Sequence, residues 1–431
     1  MHDADVWMDR GDQFVRQEDY PKAIECYTKV IQLNPRIAFA HFKRANSFFQ
    51  LDKFHDALND YNNAIALNPH FSFAYYKRGS VYQEIRKYQT AIEDFNRAIE
   101  INNDFSFAYY KRGYCNFRLK NYDEAIEDLD KSIEINPSYM NAFLQKGNAH
   151  FALKNFDEAD KDYSEALALD PKQDIAYISR GLVRGYLEKY NEAIKDYTQA
   201  IDIDPTSSLA YNYRGITYVK LGKYDKAVFD FKKVLEMDPE NADAYNYLGV
   251  AYFQMKLYSE ALNTYANAIN LNPHSSKLFF NRANAFYNNG QFESAINDFS
   301  QALEMKPLLT PAYLGRANAY SHLERFREAI KDFSKVISIN PKYFQAYIGR
   351  GNAFMKLRHY KKAQEDFTLA IEINPEHPQA YMNRGIAFKS ENKLERAAMD
   401  FNEYLRLTNK KTQNSILVRS WLEKNDLPVN F

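Results

Sequence analysis

Apolar and small residues recur along this chain with a period of 34 residues. We number the places within each period from Ala4, so that repeat 1 covers residues 4–37 and repeat 12 ends at Lys411. Places 4, 8 and 11 form one stripe at helical spacing, and places 17, 20 and 24 form another. The pattern predicts two amphipathic helices in each of twelve tandem repeats. Prolines mark the same period at 35, 69, 137, 171, 205, 239, 273, 307, 341 and 375.

Small residues occupy two of these places in every repeat. Place 8 is Gly in nine repeats and Ala in three, and place 20 is Ala in all twelve. A glycine inside a helix costs about 0.5–1 kcal/mol relative to alanine, so its retention at one place indicates a packing requirement. Two antiparallel helices can approach closely at such residues. Aromatic side chains at places 4, 11, 17 and 24 would then fill the space around the contact.

The repeat resembles the tetratricopeptide repeat, whose pattern is W-x2-L-G-x2-Y…A-x3-F…P. Repeat 1 carries this pattern, with Arg in place of Leu, at Trp7, Arg10, Gly11, Phe14, Ala23, Tyr27 and Pro35. The resemblance covers residues 4–411, and twelve tandem copies make it specific. It implies an all-α fold, a right-handed α-solenoid (superhelix) of helix-turn-helix repeats. In that fold the first helices line a concave groove and the second helices form the convex outside.

We expect three segments along the chain. Residues 1–3 form an N-terminal extension, residues 4–411 form the repeats, and residues 412–431 form a C-terminal capping helix and tail. Residues 412–425 carry apolar side chains at near-helical spacing, among them Trp421. Such a helix would cover the last repeat, because the end of a solenoid needs a soluble face. One continuous solenoid is therefore expected, rather than several globular domains.

One departure from the family pattern is systematic. Place 7, usually Leu in the family, is Arg or Lys in eleven repeats, and place 23 is Asp in ten. Repeat 8 loses both together, with Leu248 and Thr264, whereas repeat 1 combines Arg10 with Cys26. The joint loss predicts a structural ion pair between the two helices of a repeat, since removing one partner of a buried pair is costly. Repeated acid–base chemistry is the alternative interpretation.

Composition and charge exclude several classes of function. Lys plus Arg and Asp plus Glu each total 56, and proteins that neutralise many phosphates usually carry a basic excess. We therefore expect no nucleic-acid partner. No apolar run reaches the roughly 18 residues of a membrane span, so no membrane insertion is expected. The N-terminal residues lack the regions of a signal peptide, and Cys26 and Cys115 are 89 residues apart, which favours a reducing, cytoplasmic location.

The sequence carries no catalytic or cofactor signature. It lacks the phosphate loop GxxxxGK[ST], the zinc motif HExxH and the nucleophile motif GxSxG. Gly349-Arg350-Gly351 begins like a dinucleotide fingerprint, but it lacks the third glycine and lies inside a predicted repeat helix. The nine histidines are scattered along the chain. We therefore expect no metal, no cofactor and no enzymatic activity.

Three adjacent repeats replace the aromatic residue of place 11 by a polar one: Asn116, His150 and Arg184. We interpret His150 as a packed histidine with satisfied hydrogen bonds rather than as a metal ligand. Local repacking is the simpler interpretation of the three changes. A flexible joint or a contact site is the alternative.

The first helices carry a further face, distinct from the packing stripe, at places 2, 5, 9 and 12. In repeats 2–4, nine of these twelve positions are aromatic, against four of 32 in repeats 5–12, and place 6 beside them is Lys. Exposed aromatic patches mark interaction sites, so we predict that this face binds a partner segment. The predicted site comprises Phe39, Phe42, Asn46, Phe49, Phe73, Tyr76, Phe107, Tyr110, Tyr114 and Phe117, with Lys43, Lys77 and Lys111.

The aromatic face is also compatible with duplication or with internal packing. Repeats 3 and 4 share FSFAYYKRG at residues 71–79 and 105–113, so duplication alone could account for their similarity. The rings could also pack against each other within a tight superhelix instead of facing a partner.

Asparagines at place 9 predict a secondary groove. Asn148, Asn284, Asn318 and Asn352 share this place with Asn46. An Asn amide can bond both the N–H and the C=O of an extended peptide. Family members that bind the acidic C-terminal tails of chaperones carry Lys at place 5. No repeat here has Lys there, and Lys277 and Asn281 are isolated partial matches, so chaperone tails are disfavoured.

The sequence thus predicts a non-enzymatic scaffold or adaptor for protein–protein interaction. Its partner would be a protein or peptide segment, apolar or aromatic with flanking acidic residues, held in the concave groove. One alternative is a structural subunit of a large multiprotein assembly. Another is a substrate-recruiting arm that acts with a separate catalytic chain.

Overall fold

The structure is a computed structural model that describes residues 2–408 and 412–429. Within these residues there are 25 α-helices and no strand, which confirms the expected all-α architecture. The chain forms two compact units, Met1–Thr217 and Tyr218–Phe431, and the division falls inside one helix. None of the described helices is both long enough and apolar enough to cross a membrane.

The first unit contains six complete repeats, each made of two helices. Odd numbers denote first helices and even numbers second helices. The bounds are α1 His2–Arg16, α2 Tyr20–Leu33, α3 Ala38–Gln50, α4 Phe54–Leu67, α5 Ser72–Glu84, α6 Tyr88–Ile101, α7 Ser106–Arg118, α8 Tyr122–Ile135, α9 Met140–Ala152, α10 Phe156–Leu169, α11 Asp174–Tyr186 and α12 Tyr190–Ile203. Helix α13, Ser208–Lys220, begins repeat 7 and contains the division between the units.

The second unit continues the same succession of helix pairs and ends in a helix outside the repeats. The bounds are α14 Tyr224–Met237, α15 Ala242–Gln254, α16 Tyr258–Leu271, α17 Ser276–Asn288, α18 Phe292–Met305, α19 Thr310–His322, α20 Phe326–Ile339, α21 Phe344–Lys356, α22 Tyr360–Ile373, α23 Pro378–Ser390, α24 Leu394–Leu407 and α25 Gln413–Lys424.

The helices end where the local backbone chemistry requires it. Asn34 precedes Pro35 and has φ −145° and ψ 98°, the extended conformation that a following proline favours, so α2 ends there. The turn between the two helices of a repeat instead places a left-handed residue at place 15. Ten repeats use a non-glycine residue there, such as Asp52 with φ 56°, while repeats 7 and 9 use Gly222 and Gly290. Packing of the flanking helices must offset this strain, which costs roughly 1 kcal/mol per non-glycine residue.

The two helices of each repeat meet at their small residues. The alanines of place 20 are fully buried in all twelve repeats. A Cβ added to Gly11 would lie 2.5 Å from the ring of Tyr27, and one added to Gly181 would lie 2.7 Å from the ring of Tyr197. Place 8 is therefore small because the aromatic ring of place 24 in the same repeat fills the space above it.

Two repeats with Ala at place 8 carry a compensating glycine elsewhere. Ala283 and Ala317 occupy place 8 in repeats 9 and 10. A Cβ on Gly315, at place 6 of repeat 10, would lie 2.4 Å from the ring of Phe299, the place-24 residue of repeat 9. Gly349 stands in the same relation to the place-24 ring of repeat 10. In repeats 9 and 10 the place-24 ring therefore lies against a glycine of the next repeat.

Arginine–aspartate pairs join the two helices of a repeat, as the sequence predicts. In repeat 3, Arg78 Nε donates to Asp94 Oδ2 at 2.9 Å and Nη2 donates to Oδ1 at 2.6 Å. The third nitrogen, Nη1, donates at 2.6 Å to Asn62 at place 25 of the preceding repeat. Each such arginine therefore bridges three helices in two repeats. The arginines that make both connections include Arg44, Arg78, Arg112, Arg180, Arg316, Arg350 and Arg384.

Repeat 8 replaces this polar bridge by an apolar contact. Leu248 is buried at place 7, and the Thr264 hydroxyl at place 23 donates to the carbonyl oxygen of Glu260 at 2.7 Å. Place 25 of the preceding repeat is Lys232, a cation where most other repeats offer an acceptor to the arginine. The three changes are mutually consistent, because a lysine there would repel an arginine at place 7.

The C-terminal helix α25 packs against the last repeat. Val418 and Leu422 are buried against α24, and the ring of Trp421 meets Phe401 edge-on at a centroid distance of 5.1 Å. Thr412 caps the helix by accepting a hydrogen bond from the Ser415 backbone N–H at 3.2 Å.

A change of Gly315 to Ala should destabilise the second unit by about 1–3 kcal/mol, because the added methyl group would overlap the Phe299 ring. Gly185→Ala is the matched control, since this helical glycine has only the Tyr197 hydroxyl near its added Cβ, at 4.0 Å. The control should stabilise the protein by about 0.5–1 kcal/mol. Urea denaturation followed by circular dichroism measures both. Equal effects of the two changes would contradict the packing argument.

A change of Asp332 to Ala should destabilise the protein by about 3 kcal/mol, because it leaves the Arg316 guanidinium partly buried without its carboxylate. The double change Arg316→Leu with Asp332→Thr reproduces the residues of repeat 8 and should cost less. Glu134→Ala, which breaks an exposed pair with Lys131, serves as the control and should change stability by less than about 0.5 kcal/mol. Urea denaturation compares the three variants, and equal losses for the single and double changes would refute the pairing argument.

Candidate functional site

The first helices of the first unit form a layer of their own. Helix α3 contacts α5, α5 contacts α7, and α7 contacts α9. Across this layer, Lys43 of α3 forms an ion pair with Asp12 of α1. The second unit repeats the arrangement, and there Asn281 of α17 donates to Asn246 of α15 at 2.9 Å. Places 5, 6 and 9 therefore lie along the face where neighbouring first helices meet.

The rings at places 2 and 5 pack against a third ring that the helical pattern does not predict. In repeat 2, the centroid of Phe71 lies 4.7 Å from that of Phe42 and 6.3 Å from that of Phe39. Phe71 occupies place 34, directly before α5. Repeats 3 and 4 build the same cluster at centroid distances of 4.9–5.0 Å. We call the clusters ring triplets: Phe39, Phe42 and Phe71; Phe73, Tyr76 and Phe105; Phe107, Tyr110 and Tyr139.

Within each ring triplet the place-2 ring is the exposed member. Phe39, Phe73 and Phe107 expose 48%, 50% and 46% of their surface. The place-5 rings are half-buried, and Phe105 at place 34 exposes 6%. Internal packing therefore accounts for the inner rings of the aromatic face, whereas the outer rings remain exposed. The inner rings pack on one another and hold the outer ring towards solvent.

The third ring can be recognised in the sequence, although not from helical periodicity. Place 34 is aromatic in the three consecutive repeats that carry the triplets, and otherwise only at Tyr343 in repeat 10. The place lies before the first helix, so it belongs to neither apolar stripe. A column-by-column comparison of the repeats identifies it.

The exposed apolar side chains at place 2 extend beyond the aromatic repeats. Ile175 in repeat 6 and Leu209 in repeat 7 expose 62% and 52% of their surface. A count of aromatic residues alone overlooks both. We call the five exposed apolar place-2 residues of the first unit the outer row: Phe39, Phe73, Phe107, Ile175 and Leu209. Asn141 interrupts it in repeat 5, and place 2 carries no comparable side chain in repeats 8–12 of the second unit, where it is Asp243, Lys277, Pro311, Gln345 and Gln379.

Two of the predicted site residues belong to the turn end of the repeat rather than to a ring triplet. Phe49 packs on Phe54, and Phe117 packs on Tyr122, with centroids 5.9 and 5.5 Å apart. Their partners are the place-17 rings of their own second helices. Tyr114 lies nearby on the first helix, and its hydroxyl accepts from Arg118 at 2.9 Å.

The three lysines of place 6 have different surroundings. Lys43 is paired with Asp12 and lies 4.7 Å from the Phe39 ring centroid. Burial lowers the pKa of Lys77, and the charge of Lys111 lowers it further. Burial also lowers the pKa of Lys111. Among the described residues, no carboxylate forms an ion pair with either of these two lysines, so they present positive charge beside the rings of repeats 3 and 4.

The asparagines of place 9 divide into two groups. The amide oxygens of Asn46 and Asn148 each accept from a place-24 tyrosine hydroxyl, of Tyr61 and Tyr163, at 2.7 Å. These two amides therefore stabilise the repeat. In repeats 9–11 place 24 is Phe, which has no hydroxyl, and the amides of Asn284, Asn318 and Asn352 have no such partner.

The polar residues of place 11 gather around the place-23 aspartates. Asn116 donates to Asp128 at 3.1 Å. Arg184 donates to Asp196 at 2.9 Å and to Asp160, in the preceding repeat, at 2.8 Å. These contacts favour local repacking over a contact site, because each side chain supplies a further partner to an aspartate that the repeat already uses.

Repeat 5 has the weakest arrangement of this kind. Lys146 replaces the arginine and donates to Asp130 at 2.8 Å and to Asp162 at 3.2 Å. His150 Nε2 lies 3.7 Å from Asp162, while buried His150 Nδ1 and Asp162 Oδ2 have no hydrogen-bond partner among the described residues. The expectation of a satisfied histidine is therefore wrong. Burial raises the pKa of Asp162 to about 6, and burial together with the charge of Lys146 lowers the pKa of His150.

The described residues offer few groups for chemistry. Cys26 and Cys115 are free and buried, and burial raises the pKa of Cys115 to about 12, so this thiol stays protonated and is a poor nucleophile. Within residues 2–408 and 412–429, no group of three or more His, Cys, Asp or Glu side chains is placed to hold a metal ion.

A change of Lys146 to Arg should stabilise the protein by about 1 kcal/mol at pH 7.5, because a second donor would reach Asp162. The folded-state pKa of Asp162 lies above its ordinary value of 3.8, so this carboxyl stabilises the fold most below about pH 4 and loses that contribution as pH rises through about 6. The gain from Arg should therefore shrink at pH 4.5. Urea denaturation at both pH values measures it, with Lys131→Arg as the exposed control; a gain independent of pH would contradict the argument.

Sequence models of one repeat family match most of the chain. A model described as TPR repeat matches residues 11–52, 45–85, 186–222 and 217–256. A model described as tetratricopeptide repeat matches residues 72–105, 106–139, 141–173, 242–275, 276–307, 310–343 and 344–377. Among curated protein sequences, none matches this chain.

Among the solved structures similar to this chain are three proteins of low sequence identity. The C-terminal part of a TPR repeat-containing protein from Cytophaga hutchinsonii is 21% identical, with 56% of this chain and 98% of that chain covered and a TM-score of 0.49. Yeast Tom70 is 16% identical over 98% and 95% of the two chains, with a TM-score of 0.39. YrrB, described as a TPR protein with an unusual peptide-binding site, is 24% identical over 43% and 95%, with a TM-score of 0.39.

The 34-residue period, the helix pairs and the family models agree with one another. The models cover well over half of the residues, in both compact units. The chain belongs to the tetratricopeptide repeat family.

Proposed function

We propose that this protein is a non-enzymatic interaction scaffold that binds an apolar or aromatic segment of a partner protein on the first helices of repeats 2–4. The proposal rests on one observation above all. The outer rings Phe39, Phe73 and Phe107 remain about half exposed although each packs against the ring at place 34 of its own repeat. Exposed apolar patches of several hundred Å² on a soluble protein are commonly interaction sites.

The ring triplets suit binding because they are rigid before the partner arrives. Phe73 lies 4.9 Å from Phe105, which is itself buried and 4.9 Å from Tyr76. A ring held in this way loses little side-chain freedom on binding, and that loss is one of the main costs of association. Aromatic anchors of this kind supply much of the binding energy at protein interfaces.

The charges beside the rings favour a partner segment that carries acidic residues. Lys77 and Lys111 are half-buried, and each is without an ion pair among the described residues. A carboxylate placed near them would gain a charge-assisted hydrogen bond and relieve the repulsion between the two cations. The arrangement differs from chaperone-tail recognition, because no repeat has Lys at place 5 and Asn281 is already bonded to Asn246.

A structural subunit of a large assembly is a second candidate function, and a specific observation bears on it. Such a subunit would make contacts through its second helices. Place 22 on those helices is polar in ten repeats, but Phe229 and Met399 expose 56% and 70% of their surface there. Isolated exposed apolar residues are common on soluble proteins, so these two favour an interface less than the outer row does.

A triple change of Phe39, Phe73 and Phe107 to Ala should abolish partner capture and leave the fold intact, because these rings are largely outside the core. We expect at least a 100-fold loss of affinity, since anchor truncations cost about 2 kcal/mol or more each. Quantitative mass spectrometry of proteins captured by wild-type and variant chains measures the loss, and circular dichroism checks helicity.

The matched control is Phe229→Ala with Met399→Ala, which removes exposed apolar side chains from the second helices. It should leave capture unchanged. Capture of the same partners by the triple variant would refute the proposed site, and a loss confined to the control would favour the structural-subunit alternative.

A further inference from the structure

The spacing of the outer row selects the backbone conformation of the segment that binds it. The first helices α3, α5, α7, α11 and α13 each contribute one outer-row residue from the same place, and α3, α5, α7 and α9 are in contact each with the next. Packed helices lie about 8–10 Å apart. A bound chain must therefore present an apolar side chain on one face every 8–10 Å or so.

Regular backbones differ in whether they can meet this spacing. A β-strand rises about 3.3 Å per residue and alternates its faces, so same-face side chains recur every 6.6 or 13 Å or so. A polyproline-II helix has three residues per turn and rises about 3.1 Å per residue, so one face recurs about every 9.3 Å. An α-helix offers residues i and i+7 about 10.5 Å apart. The strand is excluded, and two conformations fit.

The polar groups between the rings distinguish these two conformations. The rings of Tyr110 and Tyr139 lie with their centroids 4.9 Å apart, and burial keeps the hydroxyls of Tyr76, Tyr110 and Tyr139 protonated by raising their pKa values, so that each hydroxyl can donate. Lys77 and Lys111 add ammonium groups that can only donate. The floor of this face is thus rich in donors. An α-helix has already satisfied its carbonyl groups internally, whereas a polyproline-II chain leaves every carbonyl free to accept.

We propose, on the basis of the function proposed above, that the outer row binds a polyproline-II segment of the partner with an apolar residue at every third position. Prolines suit such a segment for two reasons. They favour the polyproline-II conformation, and they lack an N–H that would need an acceptor. Aromatic-lined grooves recognise chains of this kind in other folds.

The outer row also determines how long the bound segment is and which of its positions are apolar. It spans repeats 2–7 and is interrupted at Asn141 in repeat 5. The six repeats are separated by five steps of three residues each, so the segment covers about 16 residues. If the segment runs in the same direction as the repeats, positions 1, 4, 7, 13 and 16 are apolar and position 10 tolerates a polar residue. In the opposite direction the tolerant position is 7. Acidic residues belong near positions 4 and 7, or 10 and 13, beside Lys77 and Lys111.

Fluorescence anisotropy of labelled 16-residue peptides measures their binding to the full chain and tests the proposal. Two proline-rich peptides carry leucine at every third position, with the polar gap at position 7 or at position 10. A control of identical composition places its leucines at every second position, and a stapled α-helical peptide presents leucines at i, i+7 and i+14. One of the period-three peptides should bind at least 10-fold more tightly than both controls.

A register test uses Ile175, the outer-row residue of repeat 6. Ile175→Ala should weaken the full peptide, but it should have little effect on a peptide that already has Ala at the position facing repeat 6. Equal weakening of both peptides would contradict the register.

Tighter binding by the period-two or the helical peptide, or no binding by either period-three peptide, overturns the polyproline-II proposal. The proposed function then still stands if the Phe39, Phe73 and Phe107 triple change abolishes partner capture. It fails separately if capture survives that change.

Discussion

The close approach of two helices in each repeat is the constraint on which the rest of the structure depends. Glycine or alanine at place 8 and alanine at place 20 let the helices meet, and the ring of place 24 fills the space between them. Where place 8 gains a methyl group, as at Ala283, the ring of Phe299 lies against Gly315 of the next repeat instead. Because the place-24 ring fits between the two helices in only one register, every first helix has the same rotation about its own axis. Places 2, 5, 6 and 9 therefore recur on one face, repeat after repeat.

The fold could be predicted from the sequence because its determinants are local and repeated. The bounds of the helices follow from the apolar stripes, the prolines and the caps. The ion pair between places 7 and 23 could be inferred because repeat 8 changes both residues together, to Leu248 and Thr264. The bond from each arginine to place 25 of the preceding repeat was harder to foresee. That place is Thr, Asn or Ser in different repeats. These residues differ in size and shape, but each can accept a hydrogen bond.

The candidate site was predicted less completely, for reasons of geometry. Phe71 and its equivalents lie outside the helical period, so their contacts with places 2 and 5 depend on how one repeat meets the next. Asn46 looked like a groove residue because its place faces the groove, yet the Tyr61 hydroxyl occupies its amide oxygen. Whether a polar group is free depends on a partner 15 residues away, which spacing within one helix does not show. Ile175 was overlooked because it is not aromatic. It occupies the same place in its repeat as Phe107 and is likewise exposed.

The arginine bridges also determine how stability is shared along the array. In a repeat protein, total stability is close to a sum of terms within repeats and between neighbours, so each bridge couples the opening of one repeat to that of the one before it. Repeat 8 lacks the coupling on both sides: Leu248 cannot reach back, and Ala266 at place 25 offers no acceptor to Arg282 of repeat 9. Among the described residues, repeat 8 is therefore coupled to its neighbours through helix packing and through the bond from Asn281 to Asn246, without an arginine bridge on either side. We expect the opening of neighbouring repeats to be coupled less strongly there, although the 34-residue period runs through repeat 8 without a break.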